Sequence, residues 1–119
     1  MTYARAGFQV RIREATTLAE VGTRVEQALE CTFHRSEARL FAGTPALETT
    51  LLGLWITLSI LGGEPDGEAQ TFVLMGTLKD DLDVRWGGDL PRIDISKFIL
   101  GVLRSYDSGA WNIPDAEDL

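Results

Sequence analysis

The first part of the chain changes from a two-residue to a helical hydrophobic repeat. Phe8, Val10 and Ile12 alternate with one glutamine and two arginines. This period predicts a strand with one buried and one hydrated face. Thr17 then begins a Thr-x-x-Glu sequence, a pattern that caps helices, and apolar residues recur at helical spacing after it. We therefore predict a helix that continues to about Glu30.

Two strongly apolar segments occupy the middle of the chain. Thr49–Leu61 is rich in β-branched and aromatic residues, and Gln70–Leu78 follows it across a cluster of glycine, proline and acidic residues. Each segment predicts one strand, and the two strands are expected to pair antiparallel with both faces covered, because both are almost continuously apolar. Two further short strands are predicted, one within residues 31–42 and one at Asp83–Trp86.

A second helix is predicted after Asp94, which is a suitable N-cap. The apolar residues that follow form a single stripe at helical spacing, namely Ile95, Phe98, Ile99, Val102, Leu103 and Tyr106. We expect this stripe to pack on the sheet. The predicted core accordingly contains Leu54, Trp55, Ile56, Phe72, Leu74, Phe98, Ile99 and Val102.

The order of these elements predicts an α+β fold. We expect a mostly antiparallel sheet of about four to five strands with two helices packed on one face. The 119 residues suit one domain, residues 1–119, that ends in an acidic tail at residues 107–119.

Charge is distributed unevenly along the chain. Eleven Lys and Arg residues against 18 Asp and Glu residues give a net charge of −7, which argues against binding to nucleic acid or to an anionic membrane surface. Residues 1–40 carry a net charge of +1, and residues 41–119 carry −8. Because most of this acidity lies in predicted loops, we expect a charged partner to be basic.

The N-terminal residues and the cysteine content indicate a cytoplasmic protein. The first residues contain no apolar segment of the kind found in secretory signals. The most apolar segment, residues 51–61, is much shorter than the roughly 20 residues that a membrane-spanning helix needs. Cys31 is the single cysteine, so it cannot form an intramolecular disulfide, and we interpret it as a packed small hydrophobic residue.

The sequence contains no recognisable catalytic or metal-binding pattern. His34 is the only histidine, and no second pair of ligands completes a metal site with Cys31. The acidic series that begins at Asp81 has Arg85 where a calcium loop needs an oxygen ligand. Neither a phosphate-binding glycine loop nor a hydrolase nucleophile motif occurs. We predict no catalytic residue, no metal and no cofactor.

Two acidic segments each contain a tryptophan. This combination suits an interface to a basic protein, because carboxylates accelerate association and a buried aromatic ring contributes much of the binding energy. A tryptophan is more often a core residue than a contact residue, so the core is the alternative for each of them. The predicted partner-binding residues are Asp80, Asp81, Asp83, Trp86, Asp89, Trp111 and Asp115.

The layout of the whole chain resembles that of the immunity proteins of bacterial polymorphic-toxin and contact-dependent-inhibition systems. The features that carry the resemblance are small size, acidity, a strand followed by a capped helix, central apolar strands from Thr49 to Leu78, and a late amphipathic helix followed by Trp111 and Pro114. It assigns neither a subfamily nor the role of any residue. The resemblance implies a cytoplasmic protein that binds and neutralises one cognate toxin domain. Many such toxins are nucleic-acid-modifying enzymes with basic clefts.

Two other functions are open at the level of sequence. The chain could be a structural or regulatory subunit that forms a homodimer or larger homo-oligomer, with Leu100 on the otherwise polar side of the second helix as part of its surface. It could also be a small enzyme or ligand-binding domain, which would require a polar-lined cavity between sheet and helices. Light scattering, which measures the mass of the particle in solution, tests the first alternative. A closed apolar core without a polar-lined cavity would count against the second.

Overall fold

The structure is a computed structural model that describes residues 5–36, 45–51, 53–61, 69–78 and 92–114. Within these ranges the chain forms six strands and two helices. In chain order they are β1 (Arg5–Glu14), α1 (Leu18–Leu29), β2 (His34–Arg35), β3 (Ala46–Leu51), β4 (Leu54–Leu61), β5 (Gln70–Leu78), β6 (Arg92–Asp94) and α2 (Ser96–Tyr106).

The strands form one sheet in the order β2-β3-β4-β5-β1-β6. All neighbouring pairs are antiparallel except β1 and β6, which are parallel. The predicted α+β fold with a mostly antiparallel sheet is therefore confirmed. The sheet exceeds the predicted four to five strands because of β2 and β6, which have only two and three residues.

The core lies between one face of the sheet and the two helices. Across the three central strands, Val10 on β1 is opposite Leu74 on β5, and Leu74 is opposite Leu58 on β4. All three side chains are fully buried. The helices cover this face with buried apolar side chains, which are Val21, Val25 and Ala28 on α1 and Ile99 and Leu103 on α2.

The prediction of a single strand at Thr49–Leu61 is wrong, because this segment contains the turn of a hairpin. β3 and β4 pair antiparallel, and Leu51 is opposite Leu54 across a two-residue connection. Gly53 in this connection has a φ of +81°, a backbone conformation that glycine adopts without steric cost. The segment resembles one continuous apolar strand because β3 and β4, on either side of the turn, both contribute buried residues to the same sheet.

Helix α1 begins as predicted at Thr17, but only half of the capping box forms. The Thr17 hydroxyl accepts a hydrogen bond from the backbone N–H of Glu20 at 3.1 Å. The Glu20 carboxylate accepts a hydrogen bond from the Thr16 hydroxyl at 2.6 Å, a partner that the motif does not specify. Glu30 follows the last helical residue with a φ of +54° and so ends the helix in the left-handed conformation.

Helix α2 turns only part of the predicted stripe towards the sheet. Ser96, Ile99 and Leu103 are buried, whereas Phe98 is 70% exposed and Tyr106 is 75% exposed. Placing Phe98 in the core was therefore wrong. Ile99 and Leu103 of the predicted stripe pack on the sheet beside Ser96, whereas Phe98 and Tyr106 do not.

Hydrogen bonds explain why Ser96 occupies a buried position. Its hydroxyl accepts the backbone N–H of Gln9 on β1 at 3.0 Å and donates to the Asp94 carboxylate. A buried hydroxyl with both partners satisfied has little cost. Asp94 also accepts the Ser96 backbone N–H at 2.9 Å, but the N-cap position is Ile95, so the prediction of Asp94 as the N-cap is wrong by one residue.

The remaining predicted core residues fall into two groups. Four are buried, which confirms the prediction for Ile56, Phe72, Leu74 and Ile99. Three are half-buried: Leu54 packs against the core, Val102 lies on α2, and Trp55 lies on the other face of the sheet, where its indole N–H donates to Glu48.

The orientation of α2 predicts a large loss of stability for one substitution on this helix and a small loss for another. Leu103→Ala should lower the free energy of unfolding by about 2 to 5 kcal/mol, because a fully buried leucine is removed. Phe98→Ala should lower it by less than about 1 kcal/mol, because the ring is mostly exposed. Urea denaturation in dilute solution measures both values, and a larger loss for Phe98→Ala than for Leu103→Ala would contradict the orientation.

Candidate functional site

The excess negative charge of the chain lies outside the residues that the structure describes. The described ranges contain eight Lys and Arg residues and seven Asp and Glu residues, a net charge of +1. The other residues contain three basic and eleven acidic residues, a net charge of −8. The acidic excess comes from three segments, 62–68, 79–91 and 115–119. The described framework is therefore nearly neutral.

The ends of two of these segments meet at one end of the sheet. Segment 79–91 is flanked by Leu78, opposite Leu54 on β4, and by Arg92, opposite Arg5 at the start of β1. Segment 115–119 follows Pro114, which lines a cavity together with Gly7 at the same end of β1. Segment 62–68 is flanked by residues at the opposite end of the sheet, where β4 ends and β5 begins. Two acidic segments are thus connected to the same end of the framework.

Six of the seven predicted partner-binding residues lie in these segments. Asp80, Asp81, Asp83, Trp86 and Asp89 are in segment 79–91, and Asp115 is in segment 115–119. They lie outside the described residues, as do the strand predicted at Asp83–Trp86 and the apolar residues at positions 40–42. Their role in binding stays a prediction.

Trp111, the seventh predicted partner-binding residue, belongs to the core. Its side chain is 1% exposed and is the largest of the fully buried side chains. The indole N–H donates to the Asp107 carboxylate at 2.7 Å, so its only polar group is already satisfied. Trp111 therefore cannot serve as an interface anchor in this structure. Its acidic sequence neighbours suggested a surface residue, but Asp107 is one of its internal partners.

Residues 107–114 pack on the fold, which corrects the prediction of an acidic tail at 107–119. Arg11 on β1 and Asn112 exchange both backbone hydrogen bonds at 2.8 Å. The outer edge of β1 is thereby covered by β6 near its start and by Asn112 near its end. Only residues 115–119 lie beyond this packed segment and outside the described residues.

Arg24 joins α1, β1 and the C-terminal segment. Its guanidinium donates to both carboxylate oxygens of Asp107 at 2.8 Å and to both carboxylate oxygens of Glu14. The Asp107 side chain is 8% exposed, and the same carboxylate accepts the Trp111 indole N–H. Hydrogen bonds from Arg24 hold the pKa of Asp107 below its usual value, and the two carboxylates hold the pKa of Arg24 above its usual value. This network has a structural role, because every group in it is engaged within the chain.

His34 has a carboxylate partner that the local sequence does not indicate. Strand pairing places His34 opposite Glu48, and the His34 Nε2 atom is 3.6 Å from a Glu48 carboxylate oxygen. The other oxygen accepts the Trp55 indole N–H at 2.6 Å and the Ser36 hydroxyl at 3.2 Å. The local sequence does not reveal these partners because they lie on other strands or beyond β2. These contacts connect β2, β3 and β4 near the edge of the sheet. The Glu48 carboxylate already accepts two hydrogen bonds.

Cys31 is half-buried just after α1. Burial, together with the nearby Glu26 carboxylate, raises the pKa of the Cys31 thiol. The thiol is therefore protonated at neutral pH, whereas a reactive cysteine needs a stabilised thiolate. This agrees with the interpretation of Cys31 as a small hydrophobic residue.

One cavity of about 230 Å³ lies at the end of the sheet where β1 begins. Its walls include Phe8, Gln9, Met75, Asp94 and Pro114. Sites for small-molecule ligands usually have volumes of about 300 to 1,000 Å³, so this cavity is small for such a site. Asp94 and the Ser96 hydroxyl in its lining are hydrogen-bonded to each other.

The described residues contain no group of three or more histidine, cysteine or acidic side chains arranged to hold a metal ion. Neither α1 nor α2 is long and apolar enough to cross a bilayer.

Comparison of the chain with protein-family models, with curated proteins and with solved structures found no match.

Proposed function

We propose that this chain is a non-catalytic binding module that recognises a basic protein surface, and that it acts in the cytoplasm as an immunity protein against a cognate bacterial toxin domain. The observation that carries the proposal is the concentration of a net charge of −8 in three short segments, 62–68, 79–91 and 115–119, two of which are flanked by residues at the same end of the sheet. Acidic residues that are concentrated in this way favour a local role in recognition over a charge that is spread evenly for solubility.

The arrangement of charge suits rapid recognition of a basic partner. Carboxylates concentrated near one end of a domain produce a local negative potential that accelerates association with a positive surface. Segments 79–91 and 115–119 together carry a net charge of −5, and their flanking residues lie at the same end of the sheet. Since Trp111 is buried, Trp86 is the aromatic anchor that remains in the proposal.

The described polar clusters favour binding over catalysis. Asp107 and Glu14 are paired with Arg24, and Glu48 accepts hydrogen bonds from two side chains. The Cys31 thiol is protonated at neutral pH because its pKa is raised. These groups therefore stabilise the fold, whereas a general base or nucleophile needs an accessible reactive atom.

Titration of toxin activity tests the proposal. The proposal requires that a toxin domain is encoded next to the gene for this chain, and the activity of that domain is measured while purified chain is added. A non-catalytic inhibitor should abolish the activity when one chain has been added per toxin domain. Co-expression should likewise restore growth of cells that produce the toxin domain.

The His34→Ala variant tests whether inhibition depends on catalysis by this histidine. We expect this variant to fold, because the His34 side chain is 68% exposed, and to inhibit with the same endpoint as the parent. Inhibition by far less than one chain per toxin domain, or a folded His34→Ala variant without inhibition, would indicate enzymatic neutralisation instead. No binding to the adjacent toxin domain would contradict the proposal as a whole.

A further inference from the structure

Strand β1 carries two arginines on the face of the sheet that is opposite the helices. The side chains of Phe8, Val10 and Ile12 belong to the core, so the residues between and after them lie on the other face. We call this the outer face of β1. Arg11 is at its centre, and strand pairing defines its nearest positions on this face, which are Gln9, Arg13, Val73 and Asn112. None of these four residues is acidic.

The guanidinium of Arg11 has no acceptor among the described residues. Arg11 is half-buried, and its Nε atom is shielded from solvent without a hydrogen-bond partner. The ion pairs between described residues are those of Arg24 and His34. Arg24 shows how this fold compensates another half-buried guanidinium, because Glu14 and Asp107 both accept its hydrogen bonds. A polar group that is removed from water without a partner lowers stability, so an acceptor from outside the chain would compensate for this cost.

The side chains around Arg11 supply further N–H donors. Gln9 is half-buried and Asn112 is exposed, and both end in amides. One N–H of the Asn112 amide is shared with the Ala110 carbonyl at 3.4 Å, which leaves the second as a donor. The guanidinium itself has N–H groups in a fork that matches the oxygens of a phosphate or a carboxylate. A phosphate group has more oxygens than a carboxylate and therefore uses this set of donors more fully.

The carboxylates nearest in register to the outer face of β1 are already engaged within the chain. Asp94 is opposite Gly7, four residues before Arg11, and accepts the backbone N–H and the hydroxyl of Ser96. Glu48 is three strands away on β3 and accepts two hydrogen bonds from side chains near it. Two guanidiniums at adjacent positions of one face attract an anion and repel a basic surface. A basic partner of the acidic segments would therefore not occupy this face.

We propose that the outer face of β1 binds a phosphate group, with Arg11 as the main contact and the amides of Gln9 and Asn112 as further donors. Arg13, which donates to the Thr71 hydroxyl at 3.2 Å, adds positive charge beside the site. The phosphate group can belong to free inorganic phosphate or to a small phosphomonoester, because both present the same oxygens. The proposal does not depend on the toxin partner.

A titration with inorganic phosphate, followed by NMR, tests the site. The ionic strength is held constant with sodium chloride, so that general screening does not change. The Arg11 Nε–H signal and the backbone signals of residues 9–13 and 112 should move along one saturating curve. We expect a dissociation constant of about 1 to 10 mM, which is reasonable for a small anion held by a few hydrogen bonds. Glycerol phosphate distinguishes the two sources, since tighter binding of the ester would identify a phosphomonoester as the ligand.

Substitutions of Arg11 assign the binding to this site. Arg11→Met keeps an unbranched side chain without the guanidinium and should weaken phosphate binding at least tenfold. Arg11→Lys keeps the charge without the fork and should weaken it at least threefold, which tests the site even if Arg11→Met does not fold. Arg35→Met is the matched control, because it removes an exposed arginine on β2, and it should leave the dissociation constant unchanged.

Three results would overturn the proposal. The first is a parent whose signals show no saturable response to phosphate at constant ionic strength. The second is the same dissociation constant for the parent and for a folded Arg11→Met or Arg11→Lys variant. The third is acetate binding as tight as phosphate binding, which would mean that the site does not select a phosphate group.

Discussion

Replacing Trp111 by alanine is expected to lower the free energy of unfolding by about 3 to 5 kcal/mol. The side chain is 1% exposed, so its removal leaves a large cavity beside β1 and α2. The substitution also removes the indole donor to Asp107, whose side chain is 8% exposed. The expected loss is a large part of the total stability of a small domain.

Trp111→Phe separates packing from hydrogen bonding at this position. Phenylalanine keeps most of the buried ring but has no N–H, so we expect a loss of about 1 to 3 kcal/mol from the unsatisfied acceptor and the smaller volume. Urea denaturation followed by circular dichroism measures both variants. A loss below about 1 kcal/mol for Trp111→Ala would mean that Trp111 is not a core residue.

Replacing Arg24 by methionine is expected to cost about 2 to 4 kcal/mol at neutral pH. The substitution keeps much of the side-chain volume but leaves Asp107 and Glu14 without their shared cation. Removing one partner of a buried ionic network is costly because the remaining charge is poorly solvated, and the partial exposure of Arg24, 22%, reduces the cost. Arg35→Met is the control, since it removes an exposed arginine and should change stability by less than about 0.5 kcal/mol.

The same variant should change the dependence of stability on pH. Because the pKa of Asp107 is lower in the folded than in the unfolded state, its stabilising contribution is present above the unfolded pKa, about 3.9, and is lost as the pH falls through the folded pKa. Arg24 is the largest cause of this lowering. The difference in stability between the parent and Arg24→Met should therefore be greatest near neutral pH and shrink in acid. An equal difference at pH 3 and pH 7 would exclude this linkage.

The sequence correctly predicts those elements that a few neighbouring residues specify. The alternation at Phe8, Val10 and Ile12 identified β1, and the cap at Thr17 identified the start of α1. The turn at Gly53 was missed because both of its flanks are apolar and a single glycine is a weak turn signal. In each case the success or failure follows from how strongly a few neighbouring residues specify one conformation.

Contacts between distant residues account for the other errors. Trp111 is predicted as a partner-binding residue, with the core as the alternative, because acidic residues surround it in sequence; one of them, Asp107, is held by Arg24, 83 residues earlier in the chain. Phe98 is predicted in the core because it belongs to the same apolar stripe as Ile99 and Leu103, and the local pattern does not include the hydrogen bond between Gln9 and the buried Ser96. The partners of His34 are likewise supplied by strand pairing. The acidic segments at 79–91 and 115–119 are the part of the proposed site that composition alone identified.

The most direct test of the proposed function is the association rate of the chain with the toxin domain that it is proposed to neutralise, measured by stopped flow at low and high salt. Asp80→Lys with Asp81→Lys changes the charge of segment 79–91, and Glu20→Lys with Glu30→Lys makes the same change on the framework. We predict that the segment variant associates at least about tenfold more slowly at low salt with a weaker salt dependence, and that the framework variant stays within about threefold of the parent. Equal slowing by both variants, or none by either, would contradict the claim that the acidic segments form the binding surface.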